Sequence, residues 1–303
     1  MMNLNHLAIF HAVAQTGSMT LGAERLDISQ PAVSKQVQEL ERVLRVRLFD
    51  RIGRRVRLSQ AGEILADYAR RLFALAQEAE QAMVEVRGVE RGRLAIGAST
   101  TIGTYLLPGV TAEFWRRYPN VELLVRIENT EQVHRRLVEH ELDIGLTEGF
   151  VEEEELEAEV FHQDELVLIA SASHRLVGKP RVSLSAVQAE PFILREPGSG
   201  TRAVEERALT RLKMPVRMVM ALGNTEAIKR VVAEGVGLAI LSRLAVRDEC
   251  DARTVAVLPV AGLCMKRPLY LVRRKGRRDG PALQAFCRVL HDFTASSFAV
   301  PKR

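Results

Sequence analysis

Two groups of residues in this chain have the types and spacing to do chemistry. The first lies on the outward face of "SQPAVSKQVQELE" (residues 29–41), where Gln30, Ser34, Lys35 and Gln38 present two amides, a hydroxyl and an ammonium. Such groups match the base edges and phosphates of a DNA major groove. The second group gathers where strands end and helices begin. It comprises Ser99, Thr100 and Thr101, then Arg195 with Gly198, Ser199, Gly200 and Thr201, then Asn224 and Thr225. Thr130 and Thr147 end two further strands and join the set. In open α/β sheets, ligands sit beyond the carboxyl ends of strands, where helix N-termini aim amides and positive dipole at them. Hydroxyls, glycine-exposed amides and a fixed guanidinium together describe a site for a small anion: a carboxylate, a phosphate or a sulfur oxyanion. Ser and Thr at helix starts are also ordinary N-caps, so for each residue singly the capping role stands beside the ligand role. Glu148 would repel an anion or meet a ligand hydroxyl, and Arg202 reads equally well as half of a surface ion pair.

Catalytic patterns are missing. "GAST" (97–100) is followed by Thr101 and lacks the closing glycine of a nucleophile elbow. "GSG" (198–200) is too short for a dinucleotide fingerprint or a phosphate loop. The seven histidines show no H-x-x-x-H or Cys/His spacing of zinc type, and His134 and His140 read as helix surface groups. Cys250, Cys264 and Cys287 form no C-x-x-C pair and have no basic or helix-start setting that would lower a thiol pKa. They are expected to be small buried residues in a reducing compartment. The expectation is a protein that binds rather than catalyses, with no metal and no resident cofactor.

These residues need elements to hold them. Leu4, Leu7, Phe10 and Val13 or Ala14 form one helical stripe, and a short helix after Ser18 turns Leu21 and Leu26 inward. "LDIS" (26–29) is then the tight turn of a helix-turn-helix, whose second helix buries Val33, Val37, Leu40 and Leu44. In "RLFDRIGRRVRLSQAG" (47–62), Val56 and Leu58 alternate with Arg55 and Arg57 beyond Gly53, which predicts a basic hairpin, or wing, able to reach phosphates. From Ser59 a long helix carries Leu65, Tyr68, Leu72, Leu75, Ala79, Ala82 and Val86 at steps of three and four, a coiled-coil seam that ends near Gly88 and Gly92. This seam either pairs two chains or packs on its own domain. Beyond Gly92 strands and helices alternate. Strands are predicted at 93–98, 121–127, 142–147, 165–171, 191–195, 216–222, 237–242 and 268–274, and helices at 102–118, 131–140, 201–212, 225–234 and 281–293. Near-continuous apolar strands between helices imply parallel sheet in two α/β lobes.

Composition agrees. The chain has 303 residues, 47% hydrophobic and 27% charged, a length for two or three domains with real cores. Of its formal +5, residues 1–60 hold a surplus of four, nine basic residues against five acidic ones. A basic module on a near-neutral body is the footprint of a nucleic-acid reader. No apolar run approaches the roughly 18 residues of a membrane span, and the N-terminus lacks a basic-then-apolar signal pattern. A cytoplasmic location with no membrane partner is expected.

The stretches "LAIFHAVAQTGSMT" (7–20), "SQPAVSKQVQELE", "LFDR" (48–51) and "LSQAG" (58–62) resemble the winged helix-turn-helix of LysR-type transcriptional regulators. The order of modules matches along the whole chain. "GASTTIGTYLLPG" (97–109) and "REPGSGTR" (195–202) are similar to regulators of carbon fixation and cysteine biosynthesis. The resemblance implies an α+β chain in three parts: a winged helix-turn-helix at 1–58, a linker and dimerisation helix at 59–90, and a two-lobed α/β, periplasmic-binding-protein-like effector domain at 91–303. Lobe I would take 91–163 and 267–303, and lobe II 164–266. It also implies DNA contacts from Gln30, Pro31, Ser34, Lys35 and Gln38 and from the wing residues Arg51, Arg54 and Arg55. Dimers through the linker helix, commonly tetramers on DNA, would read an interrupted inverted repeat, and a small-molecule effector between the lobes would alter DNA binding or bending. One departure is Gly22, where the family pattern usually has alanine; glycine inside a helix costs about 1 kcal/mol. The other reading is a cytoplasmic solute-binding or enzymatic α/β protein whose N-terminal module contacts proteins. The wing arginines and the Gln/Ser/Lys/Gln face discriminate for DNA.

Overall fold

Three helices, α1 (Leu4–Thr16), α2 (Met19–Arg25) and α3 (Gln30–Leu44), lead into a hairpin, β1 (Phe49–Ile52) and β2 (Arg55–Leu58), and a long helix, α4 (Gln60–Glu85). A computed structural model describes residues 2–52, 55–85, 92–263 and 265–297, divided into two compact units, Met1–Met83 and Val84–Arg303. Each helix start has a chemical cause. Ser18 and Ser29 accept from backbone N–H groups three residues on, and Pro31 lies in the first turn of α3, where no hydrogen bond is lost. Gly17 ends α1 at φ 64°, the left-handed region where glycine carries no Cβ penalty.

The core of the first unit joins Leu7, Phe10 and Val13 of α1 to Val33, Val37 and Leu40 of α3 and to Leu48 and Phe49 at the hairpin. Phe10 and Phe49 stack with ring centroids 5.2 Å apart. Leu4 and Leu21 face solvent instead of this core. Gly22 and Ala23 are the buried residues of α2, because the helix approaches α1 too closely for a leucine. A methyl group on Gly22 would stand 2.8 Å from Val13 Cγ2 and 3.2 Å from Val13 Cα and N. Glycine at this position therefore lets α2 lie close against Val13 of α1 without a shift.

The second unit is built on two long strands. They are β6 (Leu156–Ser171) and β11 (Met265–Arg274), paired antiparallel along nearly all of β11. At one end they meet β3 (Gly92–Ser99), β4 (Val121–Glu128) and β5 (Ile144–Glu148), with helices α5 (Thr100–Tyr105), α6 (Leu107–Arg117) and α7 (Thr130–Val138). At the other end lie α8 (Leu184–Gln188), β7 (Pro191–Arg195), α9 (Gly200–Arg211), β8 (Arg217–Leu222), α10 (Thr225–Ala233), β9 (Ala239–Ser242), α11 (Arg247–Asp251) and β10 (Val255–Val257). Helix α12 (Pro281–Ser297) returns to the first lobe, where Phe286 meets Phe114 edge-on at 5.6 Å. Separate cores result. One gathers Leu94, Ile96, Phe114, Leu271 and Phe286, and another Leu168, Phe192, Leu194 and Ile240.

Three expectations are corrected. The sheet is mixed: β3, β4 and β5 run parallel, as do β7 and β8, but β6 pairs antiparallel with β9, β10 and β11, because the chain crosses between lobes twice in opposite directions. The strand predicted at 165–171 is the second half of β6, whose first half alternates polar and apolar residues and reads as loop beside its acidic neighbours. The helix predicted at 102–118 breaks at Leu106, because Pro108 has no N–H to continue a helix and instead occupies the first turn of α6.

Gly22→Ala is expected to lower the thermal midpoint of the first unit, although helix propensity alone would raise it. Circular dichroism melts of the two chains read the sign; a higher midpoint in the variant would mean that α1 yields at no cost.

Candidate DNA-reading face and inter-lobe crevice

In the first unit, Gln30, Pro31, Lys35 and Gln38 are exposed along α3 and Ser34 is half-buried, while Val33, Val37 and Leu40 hold the opposite face in the core. Gln30 Nε2 donates to Ser34 Oγ at 2.9 Å, which fixes the first amide one turn from the second polar group. The hairpin is tied at its entry to α3 and at its exit to α4. Glu41 Oε1 accepts from Leu48 N at 2.7 Å and Phe49 N at 3.3 Å. Ser59 Oγ donates to Arg47 O at 2.6 Å and accepts from Gly62 N at 3.0 Å. Arg51 and Arg55 lie in β1 and β2; their side chains, and Arg54 altogether, lie outside the described residues.

On α4, Leu65, Ala66, Ala69 and Phe73 pack on the core of the first unit. Ile64, Tyr68, Leu72 and Leu75 form a separate exposed stripe, with Tyr68 63% and Leu75 62% exposed. Val86 and the side chain of Ala82 lie outside the described residues.

Six of the predicted effector residues, Ser99, Thr100, Thr101, Arg195, Thr201 and Thr225, fall into two hydrogen-bonded groups. In the first, Arg267 of β11 is 1% exposed and donates to Asp164 Oδ2 (2.8 Å), Thr201 Oγ1 (2.9 Å) and Thr101 Oγ1 (3.4 Å). Thr201 Oγ1 in turn donates to Glu148 Oε1 at 3.3 Å, and Ser99 donates to the other oxygen of Glu148. In the second, Arg195 grips Glu196 with two bonds of 2.8 and 2.9 Å and reaches Thr225 and Thr100, each at 3.2 Å. Thr100 and Thr101 belong to one lobe and Arg195, Thr201 and Thr225 to the other, so both groups bridge the crevice.

Capping and bridging roles separate cleanly. Ser199 and Asn224 cap α9 and α10 by accepting from Arg202 N and Ala227 N. Ser99 makes no cap bond, and the Thr100, Thr101, Thr201 and Thr225 hydroxyls serve the two arginines instead. Gly200 N–H is taken by Thr130 Oγ1 at 3.2 Å, and Thr130 Oγ1 in turn donates to Glu148 O at 3.1 Å. A Cβ on Gly200 would lie 2.0 Å from that carbonyl oxygen, so glycine is what lets α9 touch β5. Gly198 stands in the left-handed region at φ 82°, and its carbonyl accepts from Glu131 N at 3.1 Å.

Thr147 reaches the crevice only through a histidine. His134 is 2% exposed, correcting its expected surface position, and hydrogen-bonds Thr147 Oγ1 at 3.0 Å and Glu153 at 3.0 Å. Burial holds its pKa below the usual imidazole range in spite of the Glu153 carboxylate. A cavity of about 420 Å³ opens beside it, lined by Thr130, His134, Phe150 and Gly198 to Gly200. Arg202 pairs with Glu206 at 2.8 Å and donates to Arg195 O at 3.1 Å, a tie within one lobe. Sequence reasoning missed Arg267 and Asp164, which lie inside strands with no local pattern to mark them. Cys250 and Cys287 are half-buried, and burial pushes both thiols up, Cys287 to about 11. Cys264 lies outside the described residues.

Residues 4–63 match the family model "Bacterial regulatory helix-turn-helix protein, lysR family", and residues 87–295 match "LysR substrate binding domain". The chain belongs to the LysR family of transcriptional regulators. This LysR protein is 36% identical to the RuBisCO operon transcriptional regulator of Allochromatium vinosum, over 94% of each chain. It is 31% identical to the HTH-type transcriptional activator CmpR of Synechocystis, over 97% of each. Its second unit is similar to the Synechocystis CcmR regulatory domain solved in complex with 2-PG, at 31% identity and TM-score 0.64, covering 67% of this chain and 98% of that one. No described helix is long and apolar enough to cross a membrane.

One buried group in this LysR domain serves neither arginine. Glu205 faces inward from α9 with Thr201 and Leu209, 1% exposed, and its carboxyl oxygens have no partner among the described residues. Burial, reinforced by the charge of Glu206, raises its pKa well above the ordinary carboxyl value. An unfolded glutamate ionises near pH 4.3, so stability is lost as pH climbs from there toward the raised folded value. Glu205→Met should therefore raise the melting temperature at pH 7–8, with the gain shrinking toward pH 4. Melts across that range check it, and a gain independent of pH would contradict a titrating buried carboxyl.

Proposed function

We propose that this regulator binds double-stranded DNA through α3 and the wing, and that a small anionic metabolite between the lobes of the second unit modulates that binding or the bend it imposes. The observation that carries the effector half is the convergence of Arg195 and Arg267, both at most 2% exposed, with hydroxyls from α5, α9 and α10. Guanidinium forks recognise carboxylates and phosphates with two parallel bonds. In the structure those forks are occupied by Glu196, Asp164 and Glu148. An arriving anion would compete with these carboxylates and loosen the Thr100 and Thr101 bridges, shifting the relative population of lobe arrangements. The similarity to a regulatory domain solved with 2-PG supports a ligand of small-metabolite size. The protein acts as a binder rather than an enzyme, without a resident cofactor, in the cytoplasm where its DNA lies.

Gln30, Pro31, Ser34, Lys35 and Gln38, with Arg51, Arg54 and Arg55, make the DNA contacts of this reading. The exposed stripe Ile64, Tyr68, Leu72 and Leu75 pairs two chains, and dimers of dimers form on DNA, so that the operator is an interrupted inverted repeat. The division at 1–58, 59–90 and 91–303, with the lobe boundaries at 163/164 and 266/267, belongs to the same proposal.

A gel-shift series with the DNA upstream of this chain's own gene tests the reading. Affinity should exceed that for random duplex and fall linearly with salt on logarithmic axes; equal affinity for both would overturn it. A thermal-shift screen of metabolite anions then selects an effector, since a ligand at 100-fold its Kd adds about 2.7 kcal/mol. Thr101→Ala and Thr201→Ala should each abolish the response to that anion and leave DNA affinity unchanged, whereas joint loss would indicate a folding defect. Leu75→Glu places a charge in the pairing stripe and should convert dimers to monomers in sedimentation velocity; an unchanged mass would place the pairing surface elsewhere.

A further inference from the structure

A second cavity, of about 360 Å³, lies between α9 and the start of β11, and it is lined by cations without a single carboxylate. Arg207 and Arg211 enter it from α9 and Lys266 from β11, with Phe150 and Tyr270 as its aromatic walls. Among the described residues these three cations have no carboxylate hydrogen-bond partner. Arg202, which lines the first cavity, is by contrast paired with Glu206, and Arg267 with Asp164. Lys266 stands opposite Glu165 in the β6–β11 register, but that carboxylate is bonded to Arg243 at 2.6 Å. The Arg207 guanidinium sits 4.8 Å from the centre of the Phe150 ring, which fixes it at the cavity rather than in bulk solvent.

We propose that this cavity is a second anion site, separate from the inter-lobe crevice, and that it takes a small phosphate-bearing molecule. Three like charges around one concavity repel one another, and an anion there relieves the repulsion as well as gaining its own contacts. Two guanidinium forks and an ammonium match a tetrahedral dianion, whose oxygens spread over several donors while concentrating charge at one centre. The volume admits a compact ligand of metabolite size.

The site also has a route to the crevice. Helix α9 carries Thr201 at its start and Arg207 and Arg211 on its later turns. Arg267 borders the cavity, and its guanidinium holds Thr101, Thr201 and Asp164. An anion that draws Arg207, Arg211 and Lys266 together repositions α9 against β11, the two elements that Thr201 and Arg267 join. Coupling of this kind is reciprocal: each ligand changes the affinity of the other by the same factor.

Isothermal titration of the full chain with inorganic pyrophosphate at 150 mM salt tests the proposal. One saturable site per chain is expected. Arg211→Gln and Lys266→Gln should each weaken it at least tenfold and the triple variant with Arg207→Gln should abolish it, while Thr101→Ala leaves it intact. These side chains are exposed and make no ion pair, so the variants are expected to fold, with melting curves unchanged from the parent. Absence of saturation, binding that survives the triple variant, or loss in Thr101→Ala alone would overturn the second site. So would a parallel fall in affinity for random duplex DNA, which would make the cluster a phosphate-backbone contact. Citrate binding ten times tighter than pyrophosphate would overturn the phosphate assignment. Survival in the triple variant is read in the Thr101→Ala chain, whose crevice no longer answers to the anion, so that pyrophosphate held in the crevice is not counted at this site.

Discussion

The buried contact between Arg267 and Asp164 anchors the second unit. The two residues face each other across β11 and β6, the strands that carry the chain between lobes, and each side chain is 1% exposed. A guanidinium in that position must satisfy its donors within the protein, because desolvation leaves no other partner. It does so with one carboxylate and two threonine hydroxyls, one from α5 and one from α9, and Glu148 lies 3.5 Å away. Ser242 completes Asp164 with a bond of 2.8 Å. Buried polar bonds thus do much of the joining of the lobes, this group being one of several. Removing one partner from such a network typically costs about 3–5 kcal/mol, because the charge left behind stays buried.

This construction suits the proposed exchange of an internal carboxylate for an external anion. A packed apolar interface has no inherent reason to open for an anion, whereas a network of arginines, carboxylates and hydroxyls can exchange internal partners for external ones. Arg195 repeats the device on the other side of the crevice, with Glu196 as its internal partner and Thr100 as its bridge. Tyr105 adds a third link from α5, donating its hydroxyl to Glu226. Helix α5, only six residues long, therefore receives lobe II at Thr100, Thr101 and Tyr105. It is short because Leu106 and Pro108 end it, so the break that sequence periodicity overlooked sets the size of this contact.

The first unit follows a different logic. The proposed reading face is held by apolar burial beneath it, and the hairpin by two local polar ties, Glu41 to the strand entry and Ser59 to Arg47. Close helix contact at Gly22 leaves little room for rearrangement. The first unit is held by apolar burial and the second by exchangeable polar bonds, which suits the proposed roles: shape recognition needs preorganisation, and response needs bistability.

The amino-acid sequence by itself determined the parts whose causes are local. The stripe of Val33, Val37 and Leu40, the caps at Ser18 and Ser29, and the basic hairpin follow from neighbours within a turn or two. The pairing of hydroxyls with strand ends was legible in the same way, as was the family. What only the tertiary structure decided is which of those hydroxyls cap and which bridge, because that depends on what the opposite lobe brings. Ser199 and Asn224 satisfy their own helices; Thr101, Thr201 and Thr225 are claimed by arginines 166, 66 and 30 residues away in the chain. Arg267 and Asp164 were invisible for the same reason. Each looks like an ordinary surface charge until two strands 103 residues apart are set side by side and water is excluded from between them.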